Sequence, residues 1–118
     1  MRIIFEPTRE ELTLLPEARD VRAQKSDRRV IHMHVYGSQV ELYVAGYDCS
    51  SEQLYGCLVW TACHKAGWGQ YDLPLLRRVS SESGESLVRN MRWEPRISSS
   101  VAAITNAYHH RGWWKRYS

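Results

Sequence analysis

VIHMHVYGSQVELYV, residues 30–44, is the stretch that decides the fold. Gly37-Ser38 is a Gly-X pair suited to a two-residue type II′ turn, and apolar residues alternate on both sides of it. The stretch therefore predicts a β-hairpin that turns at Gly37-Ser38. Its predicted apolar cross-strand pairs are Val35 with Val40, Met33 with Leu42, and Ile31 with Val44.

The opposite face of this hairpin carries two histidines. The predicted register sets His34 against Glu41 and His32 against Tyr43. Because a one-residue slip would scramble the apolar pairs, the register is strongly specified. We therefore predict that both imidazoles lie on the more polar, solvent side as a structural surface pair.

A metal site at the two histidines is the sharper alternative. Catalytic zinc sites take three protein ligands, so other side chains would have to converge on this face. The candidates for that role are Glu41, His64, His109 and His110. Nothing in the spacing of these residues indicates such a site, so we predict no metal and no other cofactor.

Further strands and helices are predicted around the hairpin. Strands are expected at RIIFE (2–6), QLYGCLVW (53–60), WGQYDL (68–73) and LVRNMRWEP (87–95), the last of them ended by Pro95, with TACHKAG (61–67) as a turn-like connection. A short helix should begin at the capping box formed by Thr8 and Glu11 and end at Pro16. Residues 17–29 are so charged that they predict an exposed helix or loop.

Two more helices are expected later in the chain. DLPLLRRV (72–79) reads as a helix start in which Asp72 caps and Pro74 lies in the first turn. ISSSVAAITNAYHHRG (97–112) predicts the principal helix, with a serine cap, a stop at Gly112 and an apolar stripe of Ile97, Val101, Ile104 and Tyr108.

Short connections between the strands favour antiparallel pairing. The predicted fold is a single α+β domain over residues 1–118, mainly an antiparallel sheet with the C-terminal helix packed on one face.

Composition places the chain among ordinary globular domains. Its 118 residues suffice for one domain, and 43% hydrophobic with 25% charged residues argue against full disorder. It contains no apolar stretch of the roughly 18 residues that a membrane helix needs, and its N-terminus is too acidic for a signal peptide. Cys49, Cys57 and Cys63 are odd in number, which indicates reduced thiols in a cytoplasmic protein.

The positive charge is concentrated near the C-terminus. Residues 95–118 carry four basic residues and no acid, whereas residues 1–94 hold 12 basic and 13 acidic residues. The basic aromatic tail over residues 111–118 is the strongest non-structural feature of the sequence. Its candidate partner-binding residues are Arg111, Trp113, Trp114, Lys115, Arg116 and Tyr117.

Three roles remain open for this tail. Its rings could dock back on the sheet while the charges stay in water. They could instead anchor a protein partner, because Trp, Tyr and Arg are enriched among residues that dominate binding energy. Cations interleaved with aromatic rings could also bind a single-stranded nucleic acid.

No catalytic set is predicted. Cys63 and His64 are adjacent, so on an extended chain their side chains would point apart, and no oxyanion-type glycine turn accompanies them. The cysteine spacings fit no standard zinc pattern, and phosphate-binding glycine motifs are not found. Cys57, inside an apolar strand, is expected to be buried. We predict that the protein is not an enzyme.

The middle of the chain resembles a family of short bacterial proteins classed as a domain of unknown function. The resemblance is carried by LLPEARD (14–20), YVAGYD (43–48), LYGCLV (54–59), GWGQYDLPLLRRV (67–79) and VRNMRWEPR (88–96), in that order and spacing. The chain departs from the family at Gly46, where an acid is more frequent, and in TACHKAG, which lacks an expected acid.

That family is found largely on plasmids and integrative elements, so the resemblance implies a gene neighbourhood rich in antirestriction and other anti-defence proteins. It implies no catalytic residues. Our hypothesis from the sequence is a non-enzymatic binding protein that occupies a surface on a protein partner, such as a restriction or CRISPR complex. A nucleic-acid-binding accessory protein is the alternative, no membrane partner is expected, and a homodimer is left open.

Overall fold

A computed structural model describes residues 7–60, 65–74, 76 and 87–109. Residues 107–109 are described by their backbone alone. The helices are α1 (Arg9–Thr13), α2 (Ala18–Arg22) and α3 (Ala102–His109), with a 3₁₀ turn at Ser98–Ser100. The strands are β1 (Val30–Ile31), β2 (Met33–Tyr36), β3 (Val40–Asp48), β4 (Gln53–Trp60), β5 (Lys65–Asp72), β6 (Val88–Arg89) and β7 (Arg96–Ile97).

The centre of the fold is a five-stranded sheet with the order β5-β4-β3-β2-β6. All its neighbouring strands are antiparallel, as the short connections predict. β1 and β7 form a separate two-stranded antiparallel sheet. These helices and sheets confirm the predicted α+β class. Within the described residues, no helix is long and apolar enough to cross a membrane.

Both faces of the large sheet are covered. The core beneath α2 and α3 contains Ala18, Val21, Ile31, Tyr43, Ala45, Tyr55, Cys57, Val59, Ala66, Val101 and Ile104. The core beneath α1 contains Leu12, Met33, Val35, Leu42, Val44, Leu54, Leu73 and Leu87. An antiparallel sheet can leave one face in water, but here apolar side chains lie on both faces. Cys57 is buried, as predicted.

The predicted hairpin is confirmed, but its register differs from the prediction. Met33 pairs with Val44 and Val35 pairs with Leu42, so each β2 residue meets a β3 residue two positions later than expected. The amide of Gly37 donates to the carbonyl of Val40 at 2.8 Å, which moves the turn by one residue, onto residues 38 and 39. A two-residue shift keeps the side-chain alternation, so the apolar residues of β2 and β3 still share one face.

His32 interrupts the strand, and the side chains before and after it point to opposite faces of the sheet. β1 ends at Ile31 and β2 begins at Met33. Ile31 therefore packs in the core beneath α2 and α3, whereas Met33 packs beneath α1. The predicted pair of Ile31 with Val44 is wrong, because the shifted register pairs Val44 with Met33.

Residues 17–29 are less exposed than their charge predicts. Ala18, Val21 and Arg29 are buried. Arg29 donates from Nε to the carbonyl of Val21 and from Nη2 to that of Arg22, both at 3.0 Å, at the end of α2. Its guanidinium also lies over the rings of Tyr55 and Trp68. This arginine packs as part of the core, which net charge alone cannot indicate.

The C-terminal helix packs on one face of the sheet, as predicted, but it begins later. Ile97 belongs to β7, and Ser98–Ser100 form a 3₁₀ turn whose N-cap makes no side-chain hydrogen bond. Ser98 instead donates from Oγ to the carbonyl of Ser26 at 2.6 Å, which ties this turn to the loop before β1. Val101 and Ile104 are buried, whereas the side chain of Tyr108, together with Gly112, lies outside the described residues.

Several other sequence predictions can be compared directly. The capping box of Thr8 and Glu11 and the strand at Gln53–Trp60 are confirmed. The strand predicted from Trp68 begins earlier, at Lys65. The strand predicted over 87–95 is reduced to Val88–Arg89, after which the chain turns. Residues 2–6 and 61–64 lie outside the described residues, as does half of the segment 72–79 that was predicted as a helix start. In that segment Asp72 ends β5, and 73, 74 and 76 are helical.

Candidate interaction surface around His34

His34 is buried and does not face the solvent. Only 9% of the residue is exposed, and its direct partner across the hairpin is Tyr43. The turn that follows β6 covers this face, with Trp93 packed against the imidazole at a ring-centroid distance of 5.2 Å. The prediction of a solvent-facing His34 is therefore wrong, because a segment from late in the chain closes over it. His32 is half-buried.

Both ring nitrogens of His34 are engaged in hydrogen bonds. Nε2 lies 3.0 Å from Oε1 of Glu41, and Nδ1 lies 3.1 Å from Nδ2 of Asn90. Oδ1 of Asn90 accepts from the backbone amide of Arg92 at 3.1 Å, so the NH₂ group must be the one that faces the histidine. Nδ1 consequently accepts from Asn90, and Nε2 carries the proton donated to Glu41.

Glu41 reaches His34 by a diagonal contact. The predicted register placed the two residues directly opposite each other, whereas Glu41 is opposite Tyr36. Side chains at diagonal positions of an antiparallel pair remain within reach when one of them is long. The predicted histidine–carboxylate contact therefore forms although the predicted pairing does not.

The electrostatics favour an ionised Glu41 beside a neutral phenol. The hydrogen bond from His34 lowers the pKa of Glu41, against the opposing effect of burial. Burial, followed by the charge of Glu41, raises the pKa of Tyr43 well above its ordinary value. At neutral pH the carboxylate accepts hydrogen bonds from the imidazole and the phenol, and the network is satisfied as it stands.

Aromatic rings surround the imidazole. The His34 ring stacks on Tyr43 at 4.7 Å and on Tyr36 at 5.5 Å between centroids. Trp93 donates from Nε1 to the carbonyl of Ile31 at 2.9 Å, which fixes the orientation of the indole. The guanidinium of Arg96 lies over the Trp93 ring, 4.5 Å from its centroid. The imidazole thus supports a rigid aromatic layer.

The outer side of this layer is an exposed surface of mixed character. Tyr36 is 40% exposed and Met91 is 61% exposed, and Arg92 and Arg96 are also exposed. The directly paired Val30 and Ile97 are exposed as well, but successive strand residues alternate in direction, so they lie on the face of the small sheet opposite Ile31 and Arg96. We call the remaining set the aromatic–arginine surface: Tyr36, Met91, Arg92, Trp93 and Arg96.

This surface was not predicted from the sequence. The sequence predicts a strand over residues 87–95, and that prediction assigns no function to the segment. The signal that could have been used is the run of Met91, Arg92 and Trp93, since these residue types are enriched in protein interfaces. The partner-binding residues predicted in the tail, from Arg111 to Tyr117, all lie outside the described residues.

The metal alternative gains no ligand set from the described part of the chain. No group of three or more His, Cys, Asp or Glu residues that could hold an ion occurs among the described residues. The two nitrogens of His34 already have partners in Glu41 and Asn90. His64 and His110 are outside the described residues, and His109 is described by backbone alone.

Comparisons with protein-family models, with curated proteins and with solved structures found no match for this chain.

Because His32 is half-buried, we expect the free energy of unfolding to fall on mild acidification. Burial lowers the pKa of His32 below its ordinary value of 6.5, so the unfolded chain takes up this proton more readily than the folded one. Stability should be unaffected by His32 above pH 6.5 and should fall as the pH drops from there through the folded-state pKa. Urea denaturation at pH 7 and at mildly acidic pH, followed by tryptophan fluorescence, measures this change.

His32→Gln is the control, because it removes the titrating group from the same position. The variant should lose less stability than the wild type over that first interval. Both proteins should lose stability again below pH 4.5, where the lowered pKa values of Glu11 and Glu41 are reached. An identical pH dependence in the two proteins above pH 4.5 would show that His32 is not the group responsible.

Proposed function

We propose that the protein is a non-enzymatic, cytoplasmic binding protein of a mobile genetic element, which acts by occupying a surface on a protein partner. The partner we propose is a host defence complex of the restriction or CRISPR type, which the protein inhibits. The observation that carries the binding role is the aromatic–arginine surface. The resemblance to a family found on plasmids and integrative elements supports the choice of partner.

The composition of this surface favours a protein as its partner. Trp, Tyr, Arg and Met are enriched at the centres of interfaces, and a few such residues supply most of the binding energy. The only acid in the run of residues 91–96 is Glu94. Two exposed arginines are a modest footprint for a nucleic acid, whose binding usually neutralises several phosphates.

Pre-organisation also supports binding. Trp93 is held by its hydrogen bond to β1, and Arg96 is held over the indole. Side chains already fixed in one position lose less conformational entropy when a partner covers them. The buried hydrogen-bond network of His34 beneath them therefore serves binding by keeping the surface rigid.

The test is plasmid establishment in a bacterial strain that carries the defence system, compared with an isogenic strain that lacks it. The wild-type protein should raise establishment only in the defended strain. Met91→Glu should reduce that protection about tenfold or more, because an acid at an interface centre costs at least 1.4 kcal/mol of binding. Deleting residues 111–118 should also reduce it while leaving the thermal transition nearly unchanged.

Leu14→Glu is the matched control, since Leu14 is 85% exposed on the segment after α1 and receives the same apolar-to-acid change. It should leave protection intact. Equal losses in both variants, or wild-type protein without effect against every system tried, would contradict the proposal. Salt-sensitive binding to single-stranded DNA by the purified protein, lost on deletion of 111–118, would favour the nucleic-acid alternative.

A further inference from the structure

β5 is an eight-residue strand at one edge of the large sheet. It pairs with β4 on one side, and no strand in the described part of the chain pairs with its other side. Natural edge strands are usually short, or are interrupted by charges, prolines or bulges. β6 at the opposite edge has two residues, one of them Arg89 in an ion pair with Glu11. The interior of β5, AGWGQY, has no such protection.

The backbone groups that face outward from β5 follow from one hydrogen bond. The amide of Leu73, just after the strand, donates to the carbonyl of Glu52 at 3.1 Å, so residue 73 faces β4. The backbone N–H and C=O groups of successive residues point alternately to the two sides of an antiparallel strand. The backbone groups of residues 65, 67, 69 and 71 therefore also bond to β4. The outward N–H and C=O groups therefore belong to Ala66, Trp68, Gln70 and Asp72.

We propose that β5 binds the β5 strand of a second copy of this chain, forming a two-fold symmetric dimer with a sheet continuous through both copies. The two Gly69 residues face each other at the two-fold axis. In this register Trp68 pairs with Gln70 of the second copy, and Ala66 pairs with Asp72 of the second copy. All four outward-facing residues of each strand then bond to another copy of the same four.

Charge supports a second copy in the antiparallel direction. Lys65 and Asp72 are exposed and mark the two ends of the strand. Antiparallel pairing brings the basic end of each strand beside the acidic end of the other, whereas parallel pairing would bring like charges together. The strand is thus complementary to itself in its charge as well as in its hydrogen-bonding groups.

Space along the strand supports the same register. Gly67 is directly opposite Tyr71 of the second copy, and a Cβ built on Gly67 would meet nothing within 4 Å, so the space beside this glycine is open to the second copy. The phenol of Tyr71 stays on its own strand, where its hydroxyl donates to the carbonyl of Gly67 at 3.1 Å and would lie 3.5 Å from a Cβ built on Gly69. The aromatic–arginine surface lies beside β2 and β6, near the opposite edge, so dimer formation does not depend on the proposed function.

Gln70→Pro tests the interface without breaking the fold. Proline removes an outward N–H and is tolerated on the free side of an edge strand, and Gly69 accepts the restraint on the preceding residue. Sedimentation equilibrium over a concentration series should show a wild-type dimer and a monomeric Gln70→Pro variant. Gln70→Thr keeps the N–H and should remain dimeric, and all three proteins should give the same circular dichroism spectrum.

Disulfide trapping tests the register. Directly opposed residues of a non-hydrogen-bonded pair have Cα atoms about 4.5 Å apart, within the range that a disulfide spans. Gly69→Cys should therefore give a covalent dimer on mild oxidation, and its Cβ would make only ordinary contact with Tyr71, at 3.5 Å. Gly67→Cys, which faces tyrosine, should not exceed the wild-type background.

Two results would overturn the inference. One is a wild-type protein that stays monomeric throughout the concentration series. The other is a dimer that persists in Gln70→Pro, or that crosslinks equally through residues 67 and 69, since it would be held by a different surface or register. Loss of anti-defence activity in a variant that still dimerises would bear on the proposed function and leave the dimer unaffected.

Discussion

Gly56→Ala is expected to destabilise the protein by roughly 4 kcal/mol or more, or to prevent folding. Gly56 lies in β4, between β3 and β5. A Cβ at this position would overlap the carbonyl oxygen of Tyr43 and would lie 3.1 Å from the Cα of Val44. Both obstacles are backbone atoms of a paired central strand, so they cannot move aside as the end of a flexible side chain could.

Gly67→Ala is the matched control, because it makes the same substitution on the adjacent strand. The new Cβ would meet nothing within 4 Å. The variant should lie within about 1 kcal/mol of the wild type, with a small gain because alanine restricts the unfolded chain. Urea denaturation of the three proteins at one concentration gives the comparison. Similar midpoints for the two variants would contradict the close packing of β3 on β4 at Gly56.

The alternation of the hairpin could be predicted from sequence, but its register could not. Apolar residues at every second position define which side chains share a face, and they do so equally well for any shift of two residues. The choice between a turn at 37–38 and one at 38–39 depends on the Gly37–Val40 hydrogen bond and on contacts with neighbouring strands. Those neighbouring strands are β4, which follows β3 directly in the chain, and β6, which is distant in the sequence.

The burial of His34 could not be predicted for a similar reason. A strand with one polar face is typical of a sheet that contacts water on that face. Here the polar face is covered by Trp93, which follows His34 by 59 positions in the sequence. Local sequence cannot show that a distant turn will cover a strand. The same limit applies to Arg29, whose charge suggested solvent although its guanidinium packs on aromatic rings of the sheet.

The elements that were predicted correctly depend on local chemistry. The capping box of Thr8 and Glu11 needs only four consecutive residues, and both of its hydrogen bonds form. β4 was recognisable because a run of apolar and aromatic residues is bounded by the polar loop DCSSEQ. The aromatic–arginine surface, by contrast, is assembled from β2, β7 and the turn after β6, so no single stretch of sequence contains it.

His34→Ala is expected to cost about 3 kcal/mol of stability, which sums a cavity in an aromatic layer and the loss of two buried hydrogen bonds. The carboxylate of Glu41 and the amide of Asn90 would each lose their partner on the imidazole. Thermal unfolding followed by circular dichroism should show a midpoint lowered by about 10 °C. The variant should also lose the anti-defence activity that we propose, because the support beneath Trp93 is removed.

His32→Ala makes the same substitution two residues away in the stretch that decides the fold. Its side chain is half-buried, so the variant should lose only about 1 kcal/mol. Glu41→Ala and the double variant His34→Ala/Glu41→Ala complete a double-mutant cycle with His34→Ala. The double variant should lose less stability than the two single variants lose together, by about 1 kcal/mol or more. If His34→Ala costs no more than His32→Ala, the imidazole is not the centre of a satisfied network. The rigidity that we attribute to the aromatic–arginine surface would then have to come from Trp93 and Arg96 alone.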